Sequence, residues 1–171
     1  LRMISILGPS NINWGYLLLG FGCLNIFLGN LMALRQTQVK RLLAYSSLSH
    51  MGYMLLGFGF SLSFNILEGA QGSFFHLMTH SMMKGLAFLA AGALMYALYL
   101  SRGDHSPLML DDLNGASRKY PVTAFAFSLA VLGLGGLPPM AGFMSKWQIL
   151  LAGVGTRNTV MLIIVVFAAI N

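Results

Sequence analysis

Long apolar runs separated by short polar links dominate this chain. Most runs approach the roughly 20 residues that a helix needs to cross the hydrocarbon core of a bilayer. We predict an all-α fold, a polytopic transmembrane bundle of about five membrane helices that forms a single transmembrane domain over residues 1–171. The predicted helices cover about 12–34, 40–60, 72–100, 121–152 and 157–171.

The fourth apolar run is interrupted near its middle. The sequence there reads Gly133-Leu134-Gly135-Gly136-Leu137-Pro138-Pro139, which a regular helix does not tolerate. Apolar sequence resumes directly and continues through Ala152, with no charged loop between. This pattern predicts a discontinuous helix broken near residues 135–139. At membrane depth, such a break is allowed only where protein covers it or where it lines a wet cavity.

The composition supports a lipid environment. Only 8% of the 171 residues are charged and 57% are apolar, whereas about 25% of a soluble domain is charged. The net charge of +6 could suggest a nucleic-acid partner, but no basic cluster or aromatic platform supports one. We expect a multi-pass integral protein of a bacterial or archaeal cell membrane, or of an organellar inner membrane, in contact with the lipid bilayer.

The basic residues outside the apolar runs lie mainly in two links. The links at 35–41 and 101–119 hold six of them, while the opposite side holds only Arg2 and Arg157. Basic residues mark the cytoplasmic side of membrane proteins. The link at 61–71 carries Glu68 and no base, and we predict it to be a loop on the other side.

Three polar residues interrupt the third apolar run at helical spacing. His76, His80 and Lys84 occupy positions i, i+4 and i+8, so a helix places them on one stripe roughly 12 Å long. A lysine inside a membrane costs on the order of 2.5–3.5 kcal/mol and usually marks a functional site. Lys146, just past the predicted break, is a second such lysine.

These residue types favour proton transfer. Burial disfavours the charged form of an ammonium, so a buried lysine can exchange a proton near neutral pH. A histidine titrates in that range and hands protons between its two ring nitrogens. Our hypothesis is that His76, His80 and Lys84 form a proton relay bridged by water, and that Lys146 is its next station.

Other interpretations stay open. His50 is a further relay residue or a structural histidine bonded to a neighbouring hydroxyl, and Lys40 is a relay residue or a topology determinant. The stripe itself could be purely structural. His76 and His80 have the spacing of a metal pair, but no third ligand is evident and Lys84 would repel a cation. We therefore predict no metal site.

Three segments resemble the antiporter-like membrane subunits of respiratory complex I. These subunits are related to the large subunits of Mrp-type cation/proton antiporters and of membrane-bound hydrogenases. The resemblance covers nearly the whole chain, with its three motifs in the family's order. The segments are Leu28–Ser47, Phe75–Lys84 and Gly136–Lys146.

The resemblance implies two inverted repeats, each with a broken helix, of which this chain matches most of the second. It implies that His76, His80 and Lys84 belong to a central hydrophilic axis, and that Lys146 serves the outer half of the proton path. The chain starts at Leu1, and its last apolar run, 160–170, is about half the length of a span. We therefore expect the sequence to be a fragment of a longer protein.

The resulting functional expectation is a proton-translocating membrane subunit of a complex I-type NADH:quinone oxidoreductase. The alternatives are a subunit of a Mrp-type Na⁺/H⁺ antiporter or of a membrane-bound hydrogenase, and a non-conducting scaffold. The sequence has no glycine-rich phosphate loop, and Cys23 is its single cysteine. We expect no cofactor bound by this chain and no redox catalytic site of its own. Its expected partners are other membrane subunits and redox subunits that carry flavin and iron–sulfur clusters.

Overall fold

The protein is a bundle of helices joined by short turns. The computed structural model describes residues 13–103 and 106–170, so the predicted helix ends at residues 12 and 171, and Arg2, lie outside the described residues. A 3₁₀ turn at Asp111–Leu113 precedes a short helix that begins at Ala116. The helices are α1 Trp14–Leu34, α2 Val39–Phe64, α3 Leu67–Arg102, α4 Ala116–Lys119, α5 Pro121–Gly135, α6 Ala141–Gly155 and α7 Thr159–Ile170.

Two of these helices are long and apolar enough to cross a membrane by themselves, over Trp14–Leu34 and Leu67–Ser101. Shorter apolar helices cover Pro121–Gly135 and Thr159–Ile170. Within the described ranges the only extended pairing is an isolated bridge between Gln38 and Met109. The predicted all-α fold is confirmed for the described residues.

Glycines allow α2 to pack closely on both of its neighbours. Gly29 of α1 lies against the backbone of Ser49, where an added Cβ would be 3.1 Å from the Ser49 Cα. Gly57 lies against the Gly69 carbonyl of α3, where an added Cβ would be 2.6 Å from the oxygen. Small residues permit this approach in membrane bundles, where van der Waals packing drives association. The contact sets the register of α2 on α3.

The connection between α2 and α3 is shorter than the predicted loop at 61–71. Helix α2 continues to Phe64 and α3 begins at Leu67, which leaves Asn65 and Ile66 as the connection. Asn65 has the left-handed φ of 55°, which asparagine tolerates better than most residues and which ends a helix. Glu68 lies in the first turn of α3, where the partial positive charge of the helix N-terminus favours a carboxylate.

The predicted discontinuous helix consists of α5 and α6. Gly136 has a φ of 79° and ends α5, and residues 136–140, which include a cis Pro138–Pro139 peptide, separate the two halves. Gly142 in the first turn of α6 lies directly against the Gly133 carbonyl of α5. The two half-helices therefore stay in contact across the break.

The two base-rich links meet at one end of the bundle. The Val39 N–H donates to the Leu108 carbonyl at 3.0 Å, and the Leu110 N–H donates to the Thr37 carbonyl at 2.9 Å. Leu108 is buried in the same apolar cluster as Val39 and Leu43. This pairing agrees with the charge distribution, since both base-rich links lie at the same end of the bundle.

Candidate functional site

Two histidines from neighbouring helices form the centre of the site. His50 of α2 and His76 of α3 are 6% and 1% exposed. Their rings stack with centroids 5.2 Å apart, and His50 Nδ1 lies 3.0 Å from His76 Nε2. The close packing of α2 on α3 brings the two rings together. One nitrogen of this pair must donate and the other accept, so the tautomers of the two rings depend on each other.

The second nitrogen of His76 contacts the broken helix. His76 Nδ1 lies 2.8 Å from the Oγ of Ser145 in α6. Ser145 Oγ is also 3.1 Å from the Gly142 carbonyl and 3.4 Å from Thr79 Oγ1. A continuous buried chain of hydrogen bonds thus joins His50 on α2 through α3 to α6.

His80 lies one helical turn beyond His76. Its ring centroid is 4.8 Å from that of His50 and 6.2 Å from that of His76. Its Nδ1 is buried, and the described part of the chain offers it no hydrogen-bond partner. Such orphaned buried nitrogens are uncommon in proteins.

The side chain of Lys84 extends from α3 to α2, and the residue is 6% exposed. Its ammonium donates to the Leu43 carbonyl at 2.6 Å and to the Ser46 hydroxyl. No carboxylate within residues 13–103 and 106–170 contacts it. Neutral oxygens bind this ammonium, so no ion pair holds it in its protonated form.

Lys146 is stabilised by the helix break. Its ammonium donates to the Leu134 carbonyl at 3.2 Å and lies 5.2 Å from the centre of the Tyr53 ring. Leu134 belongs to the last turn of α5, where carbonyls lack partners within the helix. The negative end of the α5 dipole and the face of the Tyr53 ring both favour a cation here.

Two cavities meet at Lys146. One of about 490 Å³ is lined by Ser46, His50 and Lys146, among others, and so extends to the hydroxyl that binds Lys84. A second cavity of about 390 Å³ lies between Lys146, Trp147 and the end of α7. Both volumes are large enough for several water molecules and have polar groups to bind them.

The structure places the predicted residues in three subsets. His76 and His80 form one cluster with His50, which contacts His76 instead of a neighbouring hydroxyl. Lys84 bonds to α2 and Lys146 to α5. Lys40 is exposed in the first turn of α2, away from this cluster. Among the described residues, no three His, Cys, Asp or Glu side chains are arranged to hold a metal.

The sequence did not point to three residues of the site. Ser145 contacts His76, Ser46 binds Lys84, and the Tyr53 ring faces Lys146. The polar run 45–50 in α2 and the position of Ser145 beside Lys146 were the available signals. They indicated no role, because contacts between helices depend on the register of packing.

Buried histidines and lysines beside a discontinuous helix define a class of polytopic membrane protein, and ion-translocating proteins typically have this arrangement. The chain belongs to the NADH:quinone oxidoreductase/Mrp antiporter transmembrane family, whose sequence model matches residues 1–170. It is an integral membrane protein. The predicted superfamily is confirmed.

Individual relatives agree with this assignment. The chain is 39% identical over 151 residues to NADH-quinone oxidoreductase subunit N 2 of Solibacter usitatus, covering 88% of this chain and 29% of the relative. It is 39% identical over 132 residues to NAD(P)H-quinone oxidoreductase chain 5 of a Synechocystis strain, covering 75% and 18%. It thus spans less than a third of either relative.

A solved structure gives the same result for the fold. Respiratory complex I from Thermus thermophilus with bound aureothin contains a chain with a TM-score of 0.69 and 34% identity to this one. The match covers 90% of this chain and 33% of that chain. The helical arrangement described above is therefore also found in a solved respiratory complex.

Proposed function

We propose that this chain is part of a proton-translocating membrane subunit of a complex I-type NADH:quinone oxidoreductase. The observation that carries the proposal is the buried chain of hydrogen bonds from His50 through His76 to Ser145, next to a cavity that reaches Lys146. The similarity to NADH-quinone oxidoreductase subunit N 2 supports the redox-driven assembly.

The proposed path has one part made of side chains and one part that needs water. Between His50 and His76 the ring nitrogens are 3.0 Å apart, so a proton can pass between them directly. From Lys84, through the Ser46 hydroxyl and across the larger cavity to Lys146, water must bridge the gaps. Histidine suits the first part because it accepts and donates through different nitrogens.

We further propose that the redox chemistry takes place in partner subunits. In this proposal the chain binds no cofactor and has no redox catalytic site. Other membrane subunits and redox subunits that carry flavin and iron–sulfur clusters complete the assembly. Energy then reaches the lysines and histidines through movement or a change of charge in neighbouring helices.

Substitution of Lys84 by Met tests the relay. In the complete complex reconstituted into liposomes, we expect Lys84→Met to lower NADH-driven proton uptake at least tenfold, since the variant removes the titratable group and keeps a side chain of similar length. The measurement is the decay of a pH-sensitive dye signal, with subunit content checked by mass spectrometry. Lys40→Met is the matched control, because Lys40 is exposed at the start of α2, and should pump normally.

Other outcomes separate the alternatives. Normal pumping by a correctly assembled Lys84→Met complex would contradict the relay. A purified assembly without flavin or iron–sulfur clusters that exchanges Na⁺ for H⁺ would indicate the antiporter alternative. Equal losses in Lys84→Met and Lys40→Met would point to a general effect of removing a positive charge.

A further inference from the structure

Ser145 occupies an unusual position for a buried hydroxyl. It is 0% exposed and directly precedes Lys146, and it joins the broken helix to a titratable ring. We propose that Ser145 is a positioning residue that selects the tautomer of His76 and thereby the direction of the hydrogen bond between His76 and His50. This inference rests on the relay proposed above and names the residue that sets the direction of one of its hydrogen bonds.

In one arrangement the Ser145 hydroxyl donates to the Gly142 carbonyl, 3.1 Å away. Its oxygen then accepts from His76 Nδ1–H across 2.8 Å. A neutral His76 with its proton on Nδ1 has an unprotonated Nε2. That nitrogen accepts from His50 Nδ1–H at 3.0 Å. In this arrangement the bond between the two rings points from His50 to His76.

In the second arrangement the same hydroxyl donates to His76 Nδ1. The proton of neutral His76 is then on Nε2, which donates to His50 Nδ1 across the same 3.0 Å. The bond between the rings now points from His76 to His50. Because Ser145 has one proton to donate, it supports only one of the two arrangements at a time.

The alternative acceptor connects this choice to the helix break. Gly142, whose carbonyl competes for the Ser145 proton, lies in the first turn of α6 and against the Gly133 carbonyl of α5. Because Gly142 and Ser145 both belong to α6, the distance between the hydroxyl and this carbonyl stays the same when α6 moves, whereas the distance from Ser145 to His76 on α3 changes. A shift of α6 against α3 would therefore change which of the two arrangements Ser145 supports.

Ser73 of α3 provides a matched control. It is also 0% exposed, and its hydroxyl bonds to the backbone carbonyls of Met54 and Gly69, each at 2.9 Å. Ser73→Ala and Ser145→Ala remove the same atom from equally buried sites. Only the second change removes a contact with a histidine.

The experiment compares both variants in the complete complex in liposomes. Translocation is measured with a pH-sensitive dye, and the ring nitrogens are followed by ¹⁵N solid-state NMR of histidine-labelled complex, with His76 signals assigned by their loss in His76→Gln. We expect Ser145→Ala to lower proton translocation about tenfold, the equivalent of one hydrogen bond, and to change the ratio of the His76 Nδ1–H and Nε2–H signals. Ser73→Ala should change neither.

Two results would overturn the inference. Unchanged His76 nitrogen signals in Ser145→Ala would show that the hydroxyl does not select the tautomer. Equal translocation by Ser145→Ala and Ser73→Ala would show that only packing is lost. If Ser145→Ala does not assemble, Ser145→Cys provides the same comparison with a weak donor of similar size. Full translocation by His76→Gln would instead contradict the proposed relay itself.

Discussion

The ammonium groups of the two buried lysines find their hydrogen-bond acceptors in different ways. Lys146 donates to the Leu134 carbonyl, which is available because α5 ends next to it. Lys84 faces an unbroken helix, α2, and donates to the Leu43 carbonyl and the Ser46 hydroxyl. An interrupted helix supplies backbone acceptors and a dipole. A continuous helix can offer a lysine only a side-chain acceptor or a backbone carbonyl that already accepts a hydrogen bond within the helix.

This difference indicates what each lysine depends on. The Lys146 contact depends on the geometry of the break and is sensitive to any movement of α5 relative to α6. The Lys84 contact depends on the register of α3 against α2, which close glycine packing keeps fixed. We therefore expect Lys146 to respond to conformational change and Lys84 to keep its partners.

The largest effect should follow replacement of either lysine by arginine. A guanidinium donates to the same oxygens but does not release its proton in proteins. We expect Lys84→Arg and Lys146→Arg each to lower translocation at least about a hundredfold, equivalent to roughly 2.7 kcal/mol in activation free energy. Proton uptake by reconstituted complex is the measurement.

Lys40→Arg, the same change at an exposed lysine, is the control for this prediction and should be neutral. One outcome would contradict a relay role for Lys146. Wild-type translocation by Lys146→Arg would show that Lys146 serves only to cap α5, and would remove it from the relay.

A smaller effect is expected from Gly142→Ala. An added Cβ would overlap the Gly133 carbonyl, so the two half-helices must separate. We expect the free energy of unfolding to fall by about 2 kcal/mol, measured by thermal denaturation of the detergent-solubilised complex. The Leu134 carbonyl should move away from Lys146, while the contacts of Lys84 stay unchanged.

Gly85→Ala is the matched control for this change, because among the described residues no atom beyond the adjacent helix backbone lies within 4 Å of a Cβ added there. It should be neutral or stabilising by about 0.5 kcal/mol, since alanine favours the helix over glycine. A Gly142→Ala protein as stable as wild type would show that contact across the break is not required.

The features that were predictable from the sequence are those encoded locally. The length of the apolar runs indicated the helices, and Gly135, Gly136 and the two prolines indicated the break. The spacing of His76, His80 and Lys84 indicated a common face. These signals lie within one helix or one turn, where the distance along the chain determines the distance in space.

The remaining features depend on packing between helices. The contact between His50 and His76 requires the register set by Gly57 against Gly69, and no single-helix pattern encodes it. The predicted loop at 61–71 was too long, because both helices extend through its polar residues. Helix α2 continues to Phe64, where the left-handed Asn65 ends it, and α3 begins at Leu67.

The smallest predicted effect tests the side chain that α2 contributes to Lys84. Ser46→Ala leaves the ammonium with the Leu43 carbonyl as its described partner. Loss of one hydrogen bond to a buried donor costs about 1 kcal/mol, so we expect translocation to fall about fivefold. Ser47→Ala is the control, since the Ser47 hydroxyl bonds at 3.3 Å to the same Leu43 carbonyl. If both variants lose activity equally, the Leu43 carbonyl, and not the Ser46 hydroxyl, controls Lys84. If only Ser46→Ala does, a continuous helix needs the added hydroxyl to stabilise a membrane lysine.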